Sequence, residues 1–140
     1  MIPPIKNNAP KATIVVKIVV VTGGAQGIGR ALCLAFHKAG AAKVVVADLN
    51  LDGARETAAL CDGDAARCDV SDAGDIAALI SQTEDTHGSI GIFCSNAGIA
   101  TGFDMQFENA GMAEPEVWDK AWAVNVMAHV HASRILVPLY

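Results

Sequence analysis

With 140 residues, the chain is long enough to form one domain with a hydrophobic core, and its 52% hydrophobic content argues against disorder. A formal net charge of −5, with no run of Lys or Arg, disfavours nucleic acid and anionic membrane surfaces as partners. The composition therefore favours a small-molecule ligand.

The cysteine pattern and the apolar segments bear on cellular location. Four cysteines occur, none in a C-x-x-C pair or at zinc-site spacing: Cys33, Cys61, Cys68 and Cys94. This pattern is typical of reduced, buried thiols in a cytosolic protein. The apolar run from Ile14 to Val21 contains Lys17 and is too short to cross a bilayer. These features predict a cytoplasmic protein with no membrane partner.

The first predicted elements are an arm and a strand. Residues 1–16 contain three prolines and two asparagines and are expected to form a loose N-terminal arm. A strand is then predicted from about Lys17 to Thr22, because its nearly continuous valines suit a strand covered on both faces of a parallel sheet.

A glycine-rich turn follows this strand and leads into a helix. Gly23, Gly27 and Gly29 are spaced Gly-x-x-x-Gly-x-Gly, which lets the backbone approach a ligand closely. Apolar residues recur at helical spacing up to Gly40, which stands at the expected position just past the helix end. The free N–H groups at the helix N-terminus favour binding of a pyrophosphate. An ordinary glycine-rich turn is the alternative.

A second short strand, Lys43–Asp48, ends in a carboxylate. Asp48 lies 19 positions after Gly29, where a dinucleotide-binding fold places the acid that binds the adenosine ribose. A carboxylate there can accept hydrogen bonds from both ribose hydroxyls and would repel a 2′-phosphate. The position therefore favours NAD over NADP, with a solvated Asp at the end of a strand as the alternative.

The next elements are predicted from capping residues and short apolar runs. Asn50 is expected to cap a helix that runs to about Leu60, and a weak third strand is expected at 65–68. Ser71 is the expected N-cap of a further helix that ends near Gly88.

Two polar sites are expected at the carboxyl ends of strands, where open parallel sheets bind ligands. Asp69 can accept a hydrogen bond from an adenine amino group while Val70 packs against the ring, or Asp69 only helps to end its strand. A fourth strand is predicted at 90–94. Asn96 follows it and can fix loop backbone or reach a ligand, and Gly98 lets the chain pass close to that ligand; a plain Asn/Gly turn is the alternative.

The last segment is predicted as a loop and a long helix. The loop 99–113, with Phe103, Met105 and Phe107, covers a substrate or lies disordered on the surface. Pro115 suits the first position of a helix that is expected to end at Pro138. Its apolar stripe is formed by Val117, Ala121, Val124, Ala128 and Ala132.

Three polar residues of this helix call for an explanation. Asn125 has apolar sequence neighbours, and a buried amide without partners is costly, so it is a candidate for function or is satisfied by neighbouring backbone. His129 and His131 point about 200° apart on a helix and cannot share one metal ion. We interpret them as a surface or interface pair, and no metal site is predicted.

Four of these patterns occur in an order that resembles one enzyme family. They are Thr22-Gly23-Gly24-Ala25-Gln26-Gly27-Ile28-Gly29, Asp69-Val70, Asn96-Ala97-Gly98 and Val124-Asn125-Val126. Together they resemble the amino-terminal half of a short-chain dehydrogenase/reductase (SDR), over a stretch from about Lys17 to the last residue.

The resemblance implies a fold, a cofactor and an assembly. It implies an α/β fold, a Rossmann-like doubly wound parallel sheet that is incomplete here, with about four strands in the order 3-2-1-4. It implies that 17–140 form a domain that binds NAD or, less favoured, NADP, and that homo-oligomers form through the helix that contains Asn125. It also implies cofactor-binding roles for Gly23, Gln26, Gly27, Ile28, Gly29, Asp48, Leu49, Asp69, Val70, Asn96, Ala97 and Gly98.

Two departures from the family pattern affect the activity. Ser95 replaces the Asn that usually precedes Asn-Ala-Gly. The family's catalytic Ser and Tyr-x-x-x-Lys pair are expected after the last helix, and Tyr140 has no residue after it. Of the catalytic set, only Asn125, which holds a water of the proton relay in this family, has a counterpart. We therefore expect the 140-residue chain alone to be inactive.

Two functional hypotheses remain. The first is an NAD-dependent oxidoreductase that transfers hydride between nicotinamide and a secondary alcohol or ketone, with this chain as its cofactor-binding half. The second is a truncated, non-catalytic module that binds a dinucleotide or pairs with another subunit. A methyltransferase-type glycine loop is a distant third.

Overall fold

The computed structural model describes residues 17–100, 111 and 113–139. The predicted arm at 1–16 and most of the predicted loop at 99–113 lie outside the described residues. The elements are β1 (Ile18–Thr22), α1 (Gly27–Lys38), β2 (Lys43–Asp48), α2 (Leu51–Leu60), β3 (Asp64–Arg67), α3 (Ala73–His87), β4 (Ile90–Cys94), α4 (Pro115–Trp122), a π-helical turn (Ala123–Met127), α5 (Ala128–Leu136) and a 3-10 turn (Val137–Leu139).

The four strands form one parallel sheet in the order β3-β2-β1-β4, which confirms the predicted fold class. Thr22 is in register with Ala47, and Val21 is in register with Cys94, so three strands end at the same edge. The observed β3 begins and ends one residue earlier than the predicted strand at 65–68.

Helices cover both faces of the sheet, as the continuous valines of β1 predict. Val20, on one face, packs with residues of α3 and α5, whereas Val19 and Val21 pack with residues of α1 and α2 on the other. All three valines are fully buried because each face of the central strand has its own apolar layer. The sheet therefore holds the glycine turn after β1 on a rigid support.

The predicted N-cap residue is observed for α2 but not for α3. The Asn50 side chain accepts a hydrogen bond from the Gly53 N–H at 3.1 Å, as predicted. The prediction that Ser71 caps α3 is wrong, because Asp72 accepts from the N–H groups of Gly74 and Asp75. Ser71 instead bonds the preceding Asp69.

The predicted long helix is continuous but not uniform. It begins with Pro115 at its first turn, widens into the π-helical turn, and returns to α-helical bonding at Ala128. The prediction that Pro138 ends this helix is also wrong: α5 ends at Leu136, and Pro138 lies inside the 3-10 turn. Pro138 has no backbone N–H to continue the α-helical bonding, which is consistent with a 3-10 turn at this end of the helix.

In the part of the chain that the structure describes, no helix is both long and apolar enough to cross a membrane. The four cysteines are free thiols, and three of them are buried. Burial raises the pKa of Cys33 to about 12 and that of Cys68 to about 11. These two thiols are therefore protonated at neutral pH and are poor nucleophiles.

Candidate cofactor-binding site

A cleft of about 430 Å³ opens at the carboxyl ends of the strands. All twelve residues expected to bind a cofactor line this one cleft. Four further lining residues, which the sequence analysis did not assign to a cofactor, are Cys68, Ile99, Lys120 and Val124. The structure thus brings residues from five separate stretches of sequence to one place.

The glycine turn leaves an open surface next to a helix N-terminus. Gly27 has a φ of +57°, and a Cβ added there would meet no atom within 4 Å, so its face of the cleft is free. A Cβ on Gly29 would instead overlap the carbonyl oxygen of Gly23. Gly29 is therefore required by close packing, and Gly27 by its left-handed backbone conformation.

The start of α1 can hold an anion. Gln26 precedes the helix and its side chain does not cap it. The first backbone hydrogen bond of the helix runs from the Arg30 N–H to the Gln26 carbonyl, at 3.2 Å. The N–H groups of Gly27, Ile28 and Gly29 precede this bond and have no carbonyl partner within the helix. Backbone donors without a helical partner, together with the positive end of the helix dipole, favour a phosphate at this point.

Asp48 is anchored at the tip of β2 beside the glycine turn. Its Oδ2 accepts a hydrogen bond from the Ala25 N–H at 3.0 Å, and its Oδ1 accepts one from the Asn50 N–H at 2.9 Å. Each carboxylate oxygen has a second lone pair, so both can still accept a hydroxyl from a ligand in the cleft. The two backbone bonds fix the carboxylate in place before a ligand arrives.

The loop after β4 is joined to the end of β1 by side chains. The buried Thr22 hydroxyl accepts hydrogen bonds from the N–H groups of Asn96 and Ala97 and donates one to the Cys94 carbonyl. The Asn96 side chain donates to the Thr22 carbonyl at 3.0 Å. Asn96 therefore fixes loop backbone, which was one of its two predicted uses. The role of Thr22 was missed.

Asp69 remains ionised in the cleft. The N–H and the hydroxyl of Ser71 both donate to its Oδ1, at 3.0 and 2.6 Å, and these bonds lower the pKa of Asp69. The positive charge of Lys120 acts in the same direction. An ionised carboxylate at this position is a strong acceptor for an amino group.

Asn125 lies in the π-helical turn, and the expectation that its amide is buried is wrong, because the residue is exposed. Its Oδ1 accepts from the Ile99 N–H at 2.8 Å, and its Nδ2 donates to the Ile99 carbonyl at 2.9 Å. The amide is thus satisfied by backbone 26 residues away in the chain. Asn125 does not line the cleft but holds Ile99, which does.

Ser95 and His129 form a contact that the sequence analysis missed. The His129 Nδ1 and the Ser95 Oγ are 2.6 Å apart, which joins α5 to the residue after β4. His131, two residues further on, is half-buried. Within 17–100, 111 and 113–139, no group of three or more His, Cys, Asp or Glu side chains could hold a metal ion.

The chain is similar to known proteins in both sequence and structure. A family model described as short chain dehydrogenase matches residues 17–140. The chain is 36% identical to (+)-borneol dehydrogenase 1 of Salvia officinalis in an alignment of 132 residues that covers 87% of this chain and 48% of that protein. It is 38% identical to a sorbitol dehydrogenase of Cereibacter sphaeroides over 115 residues, 79% of this chain and 41% of that one.

Two solved structures are similar in fold and were determined with a nicotinamide cofactor. A 3-ketoacyl-(acyl-carrier-protein) reductase from Brucella melitensis, complexed with NADH, superposes with a TM-score of 0.82 and 31% identity, over 89% of this chain and 50% of that chain. A short chain dehydrogenase/reductase from Burkholderia phymatum, in complex with NAD, gives 0.79 and 27%, over 90% and 44%. The chain spans about half the length of the relatives it matches.

Proposed function

The chain belongs to the short-chain dehydrogenase family, and from this premise we propose that it is the cofactor-binding half of an NAD-dependent oxidoreductase. The observation that carries the proposal is the position of Asp48, which lines the same cleft as the open N-terminus of α1. One edge of the sheet therefore offers donors for a diphosphate and an acceptor for a sugar.

In this proposal each part of the dinucleotide has its own partner. The N–H groups of Gly27, Ile28 and Gly29 receive the diphosphate, because they precede the helical bonds of α1. The ribose hydroxyls of the adenosine donate to Asp48 beside Leu49. Asp69 accepts from the adenine amino group, and Val70 packs on the ring.

The remaining lining residues are proposed to receive the nicotinamide end. Asn96, Ala97 and Gly98 follow β4, next to the glycine turn, and the bonds to Thr22 hold them there. Gly23 and Gln26 complete the wall between the two ends. A nicotinamide held in this way would supply the hydride acceptor or donor.

The charge on Asp48 favours NAD over NADP. A 2′-phosphate would bring a second negative charge to the carboxylate, and repulsion at about 4 Å costs about 1 kcal/mol in water and about 4 kcal/mol near a protein surface. The solved relatives bound to NADH and NAD support a nicotinamide cofactor without separating the two forms.

The reaction proposed is hydride transfer between nicotinamide and a secondary alcohol or ketone. Asn125 is proposed to hold a water of the proton relay, from a helical turn whose backbone is widened around it. The Ser and the Tyr-x-x-x-Lys pair that exchange the substrate proton in the family have no counterpart in residues 1–140. The proposal assigns those groups to sequence outside this chain.

The alternative, a non-catalytic module that pairs with another subunit, is favoured by one observation. Trp118 and Trp122 on α4 are 54% and 61% exposed, and exposed tryptophans of this size are common in protein interfaces. The same surface, on the helix that contains Asn125, is proposed as the homo-oligomer contact. The free thiols support a reducing, cytoplasmic location.

Calorimetric titration with NAD and NADP tests the proposal. We expect NAD to bind more tightly than NADP. The substitution Asp48→Ala should lower the affinity for NAD about tenfold and the affinity for NADP less, since two charged hydrogen bonds are lost only with NAD. Asp52→Ala is the matched control, because Asp52 is an exposed carboxylate on α2 outside the cleft. Unchanged affinity of Asp48→Ala for NAD would contradict the ribose assignment.

A further inference from the structure

Arg30 occupies the rear of the glycine turn and bonds the turn backbone directly. Its Nη2 donates to the Ala25 carbonyl at 2.7 Å, and its Nε donates to the Thr57 hydroxyl at 2.8 Å. Thr57 is fully buried on α2, so it fixes the guanidinium. The exposed Glu56 pairs with the same Nη2 at 3.2 Å and adds little to this anchoring.

Hydrogen bonds therefore hold both peptide groups of Ala25 in place. Its N–H donates to Asp48, and its carbonyl accepts from Arg30. Its side chain faces α2 so closely that a Cβ on Gly53 would lie 2.8 Å from the Ala25 Cβ. One residue therefore links the ribose acid, the glycine turn and α2.

The direction of the Ala25 carbonyl sets the direction of the next N–H. The peptide that joins Ala25 to Gln26 is planar and trans, so its N–H points opposite to its carbonyl. The carbonyl is turned to Arg30 and α2. The Gln26 N–H is therefore turned away from α2, and Gln26 itself lines the cleft.

We propose that Arg30 is a positioning residue of the cofactor site, which orients the Gln26 N–H so that it joins the helix N-terminus in binding the diphosphate. The inference rests on the proposed function, because it concerns how the same cleft receives the same cofactor. Arg30 does not itself line the cleft, so it acts only through the Ala25 backbone.

The test compares a ligand that has the diphosphate with one that does not. ADP-ribose, NADH and adenosine are titrated against the wild type, Arg30→Gln and Arg30→Lys. Arg30→Gln is expected to lower the affinity for ADP-ribose and NADH about tenfold and the affinity for adenosine less than about twofold, because only the diphosphate accepts a hydrogen bond from the oriented N–H. Arg30→Lys should recover part of the loss, since an ammonium can still donate to the Ala25 carbonyl.

Two controls separate positioning from the loss of a surface charge. Arg55→Gln removes an exposed arginine that pairs with Asp52 on α2, and Glu56→Gln removes the ion pair of Arg30 while leaving its bonds to Ala25 and Thr57. Both are expected to change the affinities by less than about twofold.

The outcomes distinguish this inference from the proposed function. A wild type that binds neither NADH nor ADP-ribose overturns the proposed function. A wild type that binds both, with Arg30→Gln binding both equally well, overturns the role of Arg30 alone. Equal losses for adenosine and ADP-ribose would also overturn it, because they show a general change in the fold. If Arg30→Gln does not fold, the milder Arg30→Lys gives the same comparison.

Discussion

The two loops that form the cleft differ in what their packing requires. The turn after β1 is bonded by the side chains of Asp48 and Arg30, but it also requires a missing side chain, since a Cβ on Gly29 would overlap the Gly23 carbonyl oxygen. The loop after β4 depends only on side chains that are present, because Thr22 and Asn125 bond its backbone and the Asn96 side chain bonds the Thr22 carbonyl at the end of β1. In the cleft, the turn after β1 thus provides a surface that a ligand can approach closely. The loop after β4 provides a wall that is held by hydrogen bonds between residues far apart in sequence.

Adding a single methyl group to the turn after β1 should cause the largest loss of stability. Gly29→Ala places a Cβ against backbone that cannot move aside, so we expect a loss of about 3 kcal/mol in the free energy of unfolding, within the range of overpacked cores. Urea denaturation measures it. Gly27→Ala is the control, since its Cβ meets open space and costs only about 1 kcal/mol for the left-handed backbone. Equal losses in the two variants would contradict the comparison.

Removing one hydroxyl should loosen the second loop. Thr22→Val keeps the shape of the side chain but leaves the N–H groups of Asn96 and Ala97 without their acceptor, at an expected cost of about 2 kcal/mol. Thr83→Val is the matched control: Thr83 is also buried, but its hydroxyl only donates to Leu79 in its own helix. The control should lose less than about 1 kcal/mol by chemical denaturation. A similar loss in both would mean that the loop is held by something else.

A smaller effect is expected where the second loop meets the C-terminal helix. Asn125→Asp keeps an acceptor for the Ile99 N–H but replaces the donor to the Ile99 carbonyl by a charged oxygen. Because the pair is exposed, we expect a loss of about 1 kcal/mol. Hydrogen exchange at the Ile99 amide should become faster, while amides of β1 stay protected. Unchanged exchange at Ile99 would show that the amide pair does not restrain the loop.

The smallest effect is expected at Asp69, and it depends on pH. The folded-state pKa of Asp69 is lowered, chiefly by the Ser71 hydroxyl, so ionised Asp69 stabilises the fold above its unfolded-state pKa. This stabilisation is lost as the pH falls through the lowered folded-state pKa. The stability difference between the wild type and Asp69→Asn should therefore be largest near neutral pH and shrink in acid. A stability difference that grows as the pH falls would contradict this prediction, because its pH dependence would have the opposite sign.

The sequence predicted elements well where the signal is local. β2 and β4 have the predicted bounds, because their apolar runs are closed by a carboxylate and by a turn. The twelve residues that line the cleft were those implied by the family resemblance, and they lie together because parallel strands end at one edge of the sheet.

The sequence failed where the outcome depends on distant contacts. Thr22 bonds a residue 74 positions away, and a threonine after valines predicts only a strand. Ser71 and Asp72 are both good caps, and the structure uses Ser71 to bond Asp69 instead. The exposure of Asn125 could not be predicted because a π-helical turn has no distinct apolar period.

The π-helical turn also corrects the phase of the C-terminal helix. Side chains spaced by four residues drift about 40° per step around an α-helix, since each residue advances about 100°. Val124, Ala128 and Ala132 have this spacing and yet are all at least 95% buried. The wider turn between the first two rotates the chain less per residue and takes back part of the drift. Removing one residue from this turn would rotate the buried face of α5 away from the sheet. The widened turn therefore sets the rotational position of α5, in addition to carrying Asn125.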